Sequence, residues 1–268
     1  MGRLRCTESL EIESLYNGNF KPQYYQYFSY IKLRRIHMKI DWTPITKVVA
    51  EAPDTYTFHL ALPPEFTWQE GAHTHLALEG FNAGDKPDRS LVRHMSISTL
   101  PHEGAIGITT RIKSECSTFK SILRDMVPGD KVALFKTHSN VPLERSGKNV
   151  YLLSAGVGLA TFRPVVLEYL ANGEGVPHLH SLNVDSSKAY LFGDVFESNE
   201  HFTSEFVPSR KDYYERLEMM ASDKDALFYI VGSDELLRET IHVLRTNGVA
   251  CNNIKIDKHD FQREDFLG

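Results

Sequence analysis

From about residue 45 to residue 136, apolar and polar positions alternate with a period of two in short runs: ITKVVAEA, TYTFHLAL, HTHLALEG, LVRHMSIST, IGITTRI and KVALFK. Such alternation puts one face of a strand in a core and the other toward solvent. Turn-forming segments (PPEF, NAGDKPD, PHEG, VPGD) separate the runs. Six short strands in about a hundred residues predict an antiparallel six-stranded β-barrel. One helix interrupts them. FKSILRDM puts Phe119, Ile122, Leu123 and Met126 on one face, with Ser117 or Thr118 placed to cap it.

After Pro142 the pattern changes. NVYLLSAG reads as an apolar strand ending in glycine. ATFRPVVLEYL reads as a helix with proline near its first turn, KAYLFGD as a strand and DYYERLEMMA as a helix. ALFYIVGS is a strand, ELLRETIHVLRTNG a helix closed by Gly248, and NIKIDK a last strand. Strands alternating with helices predict a parallel sheet. The expected fold class is therefore β + α/β, with a barrel domain at 38–145, an α/β domain at 146–268 and an N-terminal extension at 1–37. The extension holds six Lys/Arg against three Glu, net +3, which leaves −8 for the remainder of a chain whose total is −5. Its aromatics have no steady period, so it is expected to be loosely held. The sequence RRIHM also suits Met38 as a natural start.

With 41% hydrophobic and 24% charged residues in 268, the composition is that of a soluble globular protein. The acidic balance argues against bulk nucleic-acid binding. No run reaches the ~20 apolar residues of a membrane span, and the N-terminus does not read as a signal peptide. Cys6, Cys116 and Cys251 are far apart and form no CxxC, which argues against a zinc site, a disulfide framework or an iron–sulfur cluster. A reducing cytoplasm is the expected setting.

Four stretches carry candidate chemistry. The stretch from Arg93-His94-Met95-Ser96 to Ser98 combines a guanidinium suited to phosphate with hydroxyls three and five residues further on. In SECSTFKSIL, small hydroxyl residues precede a helix start, where free N–H groups favour an anion. In YLLSAGVGLATF, Gly156 and Gly158 permit a tight turn between strand and helix. In YIVGSDELL, Gly232 ends a strand and Ser233 can cap the next helix. Taken alone, these stretches also read as a solvated strand, a plain helix cap and a tight turn.

Their order resembles the ferredoxin–NADP reductase-like superfamily of flavin oxidoreductases, over about residues 42–260 and without an iron–sulfur domain. The resemblance implies a flavoprotein that takes hydride from NADPH or NADH and passes electrons to a separate acceptor, a protein or a small molecule. It implies FAD as the flavin, with FMN the alternative. By the same resemblance, Arg93 holds a flavin phosphate and Ser96 lies at the reactive ring nitrogen as the catalytic candidate. His94 and Met95 belong to the same flavin strand. Thr110 and Arg111 line the flavin, and Ser117 and Thr118 bind its pyrophosphate. Gly156-Val157-Gly158 and Val231-Gly232-Ser233 receive the nicotinamide nucleotide.

The sequence departs from the family's pattern at Met95, where an aromatic is usual, at Val231, where a cysteine is usual, and at GLATF. These departures support a second reading, a flavin- or nucleotide-binding relay or regulatory subunit without turnover of its own. Two features oppose each other over the nucleotide. Asp194, at the end of YLFGD, is suited to ribose hydroxyls and hence NADH, whereas Ser209, Arg210 and Lys211 suit a 2′-phosphate and tilt the expectation to NADPH. His73 and His75 share a strand face, and His178 and His180 repeat the spacing in an expected loop. With no third ligand placed by the sequence, surface histidines and no metal are expected.

Overall fold

The computed structural model describes residues 39–268, so the expected extension lies outside the described residues. All six predicted barrel strands form: β1 (Asp41–Ala52), β2 (Thr55–Ala61), β3 (Ala72–Ala77), β4 (Val92–Ser96), β5 (Ala105–Arg111) and β6 (Lys131–Ser139). They make one antiparallel sheet in the order β4-β3-β6-β1-β2-β5. The sheet's two edges meet only where the chain leaves β4, through an Ile97–Ile108 bridge and the Ser98 N–H to Gly107 carbonyl bond of 2.8 Å. The expected barrel is thus only loosely closed. Gly107 permits even this approach, since a Cβ there would lie 2.7 Å from Thr99 Cγ2 and 2.9 Å from Ser98 Oγ.

Alternation sends Phe58, Leu60, Leu76, Ile97, Ile106, Ile108, Val132 and Leu134 into the barrel core. Helix α1 (Thr118–Asp125) adds Phe119 and Leu123, and Ser117 caps it as expected. The other face of β3 and β6 carries His73, His75, Ala77, Ala133 and Phe135. Of these, Ala77, Ala133 and Phe135 pack with Phe81 as a small outer cluster.

The second layer comprises β7 (Val150–Ala155), α2 (Leu159–Ala171), β8 (Leu179–Val184), β9 (Phe202–Val207), α3 (Arg210–Met220), β10 (Leu227–Val231), α4 (Asp234–Thr246), β11 (Ile254–Ile256) and α5 (Asp260–Leu267). Its five strands are parallel, ordered β11-β10-β7-β8-β9, with apolar clusters on both faces. Chain direction across the sheet reverses between β7 and β10, which opens a crevice at their carboxyl ends. Gly248 follows α4 at φ 88°, as its role in ending that helix requires.

One sequence expectation fails here. KAYLFGD forms turns, and its place is taken by β8 and β9. The polar residues of β8 hid it, yet all six of its positions are buried. Two of these side chains bond across the sheet: Asn183 Nδ2 donates to Ser154 Oγ (2.8 Å), and His180 Nδ1 meets Thr203 Oγ1 (2.7 Å), while the buried His180 Nε2 makes no hydrogen bond among the described residues. Leu191, Val195 and Phe196 of the turn segment pack into the core under α2. The closing helix α5 was not foreseen.

Gly71 starts β3 at φ 67°, where a Cβ would lie 2.5 Å from the Val141 carbonyl oxygen. Gly71→Ala is expected to cost about 2–4 kcal/mol through left-handed strain and displacement of the 141 backbone. The loss should appear as a lower denaturation midpoint at unchanged m-value.

Candidate functional site

Strand β4 points Arg93 and Met95 to one face and His94 and Ser96 to the other. Met95 packs against the barrel core, and the Arg93 guanidinium lies 5.4 Å from the Phe119 ring centroid in α1. Arg93 Nη1 donates to the carbonyls of Arg89, Ser90 and Val92 at 3.1, 3.2 and 2.7 Å. Its Nε and Nη2 have no such bond among the described residues. Lys120, in the first turn of α1, donates from Nζ to the Arg111 carbonyl at 2.6 Å. Burial, aided by the Arg111 and Arg93 charges, lowers the Lys120 pKa. Three cations therefore gather at a helix start whose Ser117 and Thr118 are exposed, an arrangement suited to an anion. Lys120 was absent from the sequence-based set of binding residues. Its place at N3 behind a serine cap was the available signal.

Thr110 and Arg111 point opposite ways. Thr110 is buried on the inward side of β5 with Ile106 and Ile108, whereas Arg111 reaches the parallel domain. There Arg111 Nη2 donates to Asp185 Oδ2 at 2.6 Å. Burial alone would raise the Asp185 pKa, but hydrogen bonds from Ser187 and Arg111 outweigh it and hold the carboxyl below its ordinary value. The pair sits over the glycine turn, for a Cβ on Gly156 (φ 52°) would be 3.5 Å from Asp185 Oδ2 and 3.6 Å from Arg111 Nη1. Val157 lies within the same turn, and a Cβ on Gly158 would be 3.0 Å from the Val231 carbonyl oxygen. Gly232 follows β10 beside it, and Ser233 caps α4. The two glycine motifs thus share one sheet edge, as the sequence implied.

The residues expected to choose the nucleotide are less uniform. Asp194 lies in a turn and not at a strand end, because Asp185 is the acid that follows β8. Ser209 caps α3, and Arg210 pairs with Glu235 (3.0 Å) and Glu239 (2.9 Å) of α4.

A cavity of about 760 Å³ opens beside β4. Met95, Ser96, His73, His75 and His94 line it from the barrel, and Asp257 and His259 line it from the segment after β11. Ser96 Oγ accepts from Thr161 Oγ1 of α2 at 2.8 Å, which fixes the serine at the cavity's margin. The size suits a planar ring system. Together with the open donors of Arg93 and the cations at α1, it gives the implied flavin both a ring space and a phosphate end on one strand.

The histidines correct the sequence reading. His73 is buried, with 4% of its surface exposed, and His180 is a buried residue of β8, not of a loop. Register brings His94 opposite His75 and His138 opposite His73. A bulge with Lys136 at φ 52° shifts β6 between the two β3 histidines. Burial lowers the pKa of His73 and His94, and burial with the His94 charge lowers that of His75 to about 4.

No family model matches the chain, and no curated protein matches it. Solved structures do. A ferredoxin-NADP+ reductase from Plasmodium falciparum is similar at TM-score 0.69, with 10% identity, over 81% of this chain and 95% of that one. A ferredoxin NADP+ reductase from Neisseria gonorrhoeae, solved with bound FAD and NADP, has TM-score 0.66 and 15% identity over 82% and 98%. The CS-b5R domains of human Ncb5or, in an NAD+ form, have TM-score 0.67 and 17% identity over 84% and 71%. The chain has the ferredoxin–NADP reductase-like fold.

The lowered histidine pKa values set a pH dependence. A histidine kept neutral in the folded state contributes its full stability above the unfolded pKa of about 6.5 and loses it as pH falls toward the folded value. Stability should therefore decline as pH falls from about 6.5 to about 4, with His75 titrating at the lower end. Denaturation midpoints measured across that range should flatten in His75→Gln.

Proposed function

We propose that the protein is a flavin-dependent NAD(P)H oxidoreductase, passing electrons from a nicotinamide nucleotide through FAD to a separate acceptor. The observation that supports it most is the adjacency, on β4, of a cation-ringed helix start and a ring-sized cavity. Arg93, Lys120 and the amides at Ser117 and Thr118 would hold the FAD phosphates. Met95 would cover a ring face with its thioether, where an aromatic is usual. Ser96, oriented by Thr161, would hold a hydrogen bond at the ring's edge. Bound FAD supplies the exchange between hydride uptake and single-electron release, while the residues bind it, orient it and limit water. The acceptor would be a protein or small molecule, since the three scattered cysteines hold no iron–sulfur cluster.

The nucleotide would bind at the β7–β10 crevice, along Gly156-Val157-Gly158 and Gly232-Ser233. NADH is favoured over NADPH by one contact. Arg210 is already held by Glu235 and Glu239, so that group carries +1 − 2 = −1 and opposes a 2′-phosphate. Asp185 against Gly156 favours a second reading, a flavin-binding relay subunit without turnover, because a carboxylate beside the glycine turn disfavours nucleotide phosphates.

The visible spectrum of the purified full chain, followed by anaerobic addition of each nucleotide, tests these readings. A yellow protein bleached by NADH supports the reductase. A colourless protein that takes up no added FAD defeats the flavin reading, and a yellow protein that neither nucleotide bleaches favours the relay. Arg93→Ala is expected to weaken FAD retention at least ~10-fold, the scale of one lost charge-assisted hydrogen bond. In Glu235→Gln/Glu239→Gln, kcat/KM for NADPH should rise relative to NADH. An unchanged ratio would remove Arg210 from nucleotide choice.

A further inference from the structure

The outer face of the barrel sheet and the segment after β11 bring imidazoles together that are far apart in sequence. One nitrogen each from His73, His94 and His259 lies within 4.8 Å of the others. The His73 ring is 5.5 Å from that of His94 and 5.4 Å from that of His259, and the His94 and His259 rings are 5.2 Å apart, centroid to centroid. His75 lies behind His94 at 3.9 Å.

His73 makes this more than a crowd of surface rings. Its Nδ1 faces Asn140 Nδ2 (3.4 Å) and Asp257 Oδ1 (3.7 Å), and Asn140 in turn donates to Asp257 at 2.9 Å. Its Nε2 is buried and makes no hydrogen bond among the described residues. An imidazole with a carboxylate behind one nitrogen and the other nitrogen open is the arrangement that orients a metal ligand. A buried ring nitrogen without a partner is otherwise costly.

We propose that His73, His94 and His259 bind a divalent first-row transition ion of the imidazole-preferring class, such as zinc, with Asp257 as the outer partner of His73. Three histidines leave a fourth position open, and the ligands line the same cavity as Met95 and Ser96. Ligand nitrogens about 2.0–2.1 Å from a tetrahedral ion stand ~3.3 Å from one another, so closure needs ring rotations of about an ångström. His94 is exposed and His259 half-buried, which allows those rotations. The cations that share the lining do not prevent binding. Lys258 is held by Asp234 at 2.7 Å, and Arg89 and Lys136 are exposed long chains. Because His73 and His94 come from the barrel and His259 follows the parallel sheet, a bound ion would clamp the two together.

The ion's ligands do not depend on flavin binding, although they line the cavity proposed above for the flavin ring. Its test uses tag-free full-length protein, dialysed against chelator and titrated with Co²⁺, with Zn²⁺ as competitor. One equivalent of Co²⁺ should develop four-coordinate visible bands that Zn²⁺ abolishes, and Zn²⁺ should raise Tm. His94→Gln and His259→Gln should each lower affinity beyond the ~10–100-fold expected of Asp257→Asn. His180→Gln, in a separate buried position, should leave binding unchanged. Absence of saturable bands, or uptake unaltered in the His94→Gln/His259→Gln double variant, would overturn the site. FAD content of the same samples is read separately, so failure of either assignment is distinguishable.

Discussion

Guanidinium groups crossing between the barrel and the parallel sheet are the constraint on which the candidate site depends. Arg163 of α2 donates to the Ser98 carbonyl at 2.8 Å and to both Glu103 carboxylate oxygens at 3.0 and 2.8 Å. Arg111 of β5 reaches Asp185 from the other side. Burial alone would raise the carboxyl pKa of Glu103 and Asp185, yet both are lowered, so the pairing outweighs the desolvation. Removing one partner of such a pair strands a partly buried charge, typically at a cost of about 3–5 kcal/mol when burial is full and less here. The two layers are thereby held in one orientation, with the Thr161–Ser96 bond between them.

Close backbone approach makes that orientation possible. Gly107 admits the segment leaving β4, Gly158 lies against the Val231 carbonyl, and Gly156 accommodates the Arg111–Asp185 pair. A side chain at any of these positions would push the seam apart or displace its charges. The same seam creates a tension at the glycine turn. The residues that suit a nucleotide's phosphates surround a carboxylate already fixed by Arg111 and Ser187. Nucleotide binding there would have to displace or tolerate that carboxylate, whereas Arg93 and Lys120 of the β4–α1 flank have no ion pair among the described residues.

The two candidate regions also differ in polarity. Around α1, Arg93 and Lys120 form a field suited to an anion, while Arg111 is paired with Asp185. Across β4, the outer face presents a cluster of imidazoles and one carboxylate, Asp257, with Arg89, Lys136 and Lys258 at its rim. Strand alternation sends Arg93 toward α1 and His94 and Ser96 toward the cavity, with Met95 between the core and the cavity lining. One five-residue strand thus serves two chemical environments.

Local pattern was enough for the two-layer architecture, all six barrel strands, the α1 cap and both glycine motifs, because alternation, capping and strand-end glycines are short-range consequences of side-chain chemistry. Polar residues at buried positions defeated it. In β8, His180 and Asn183 bond to Thr203 and Ser154 of neighbouring strands, and no local period records a partner on another strand. By itself the sequence determined that an arginine-bearing strand precedes a hydroxyl-capped helix. Only the tertiary structure decided that Arg111 is committed to Asp185, that Arg210 is held by two glutamates, and that His73 meets His94 and His259. Those juxtapositions depend on sheet register, a bulge at Lys136 and the return of the chain after β11. All three are long-range consequences of packing.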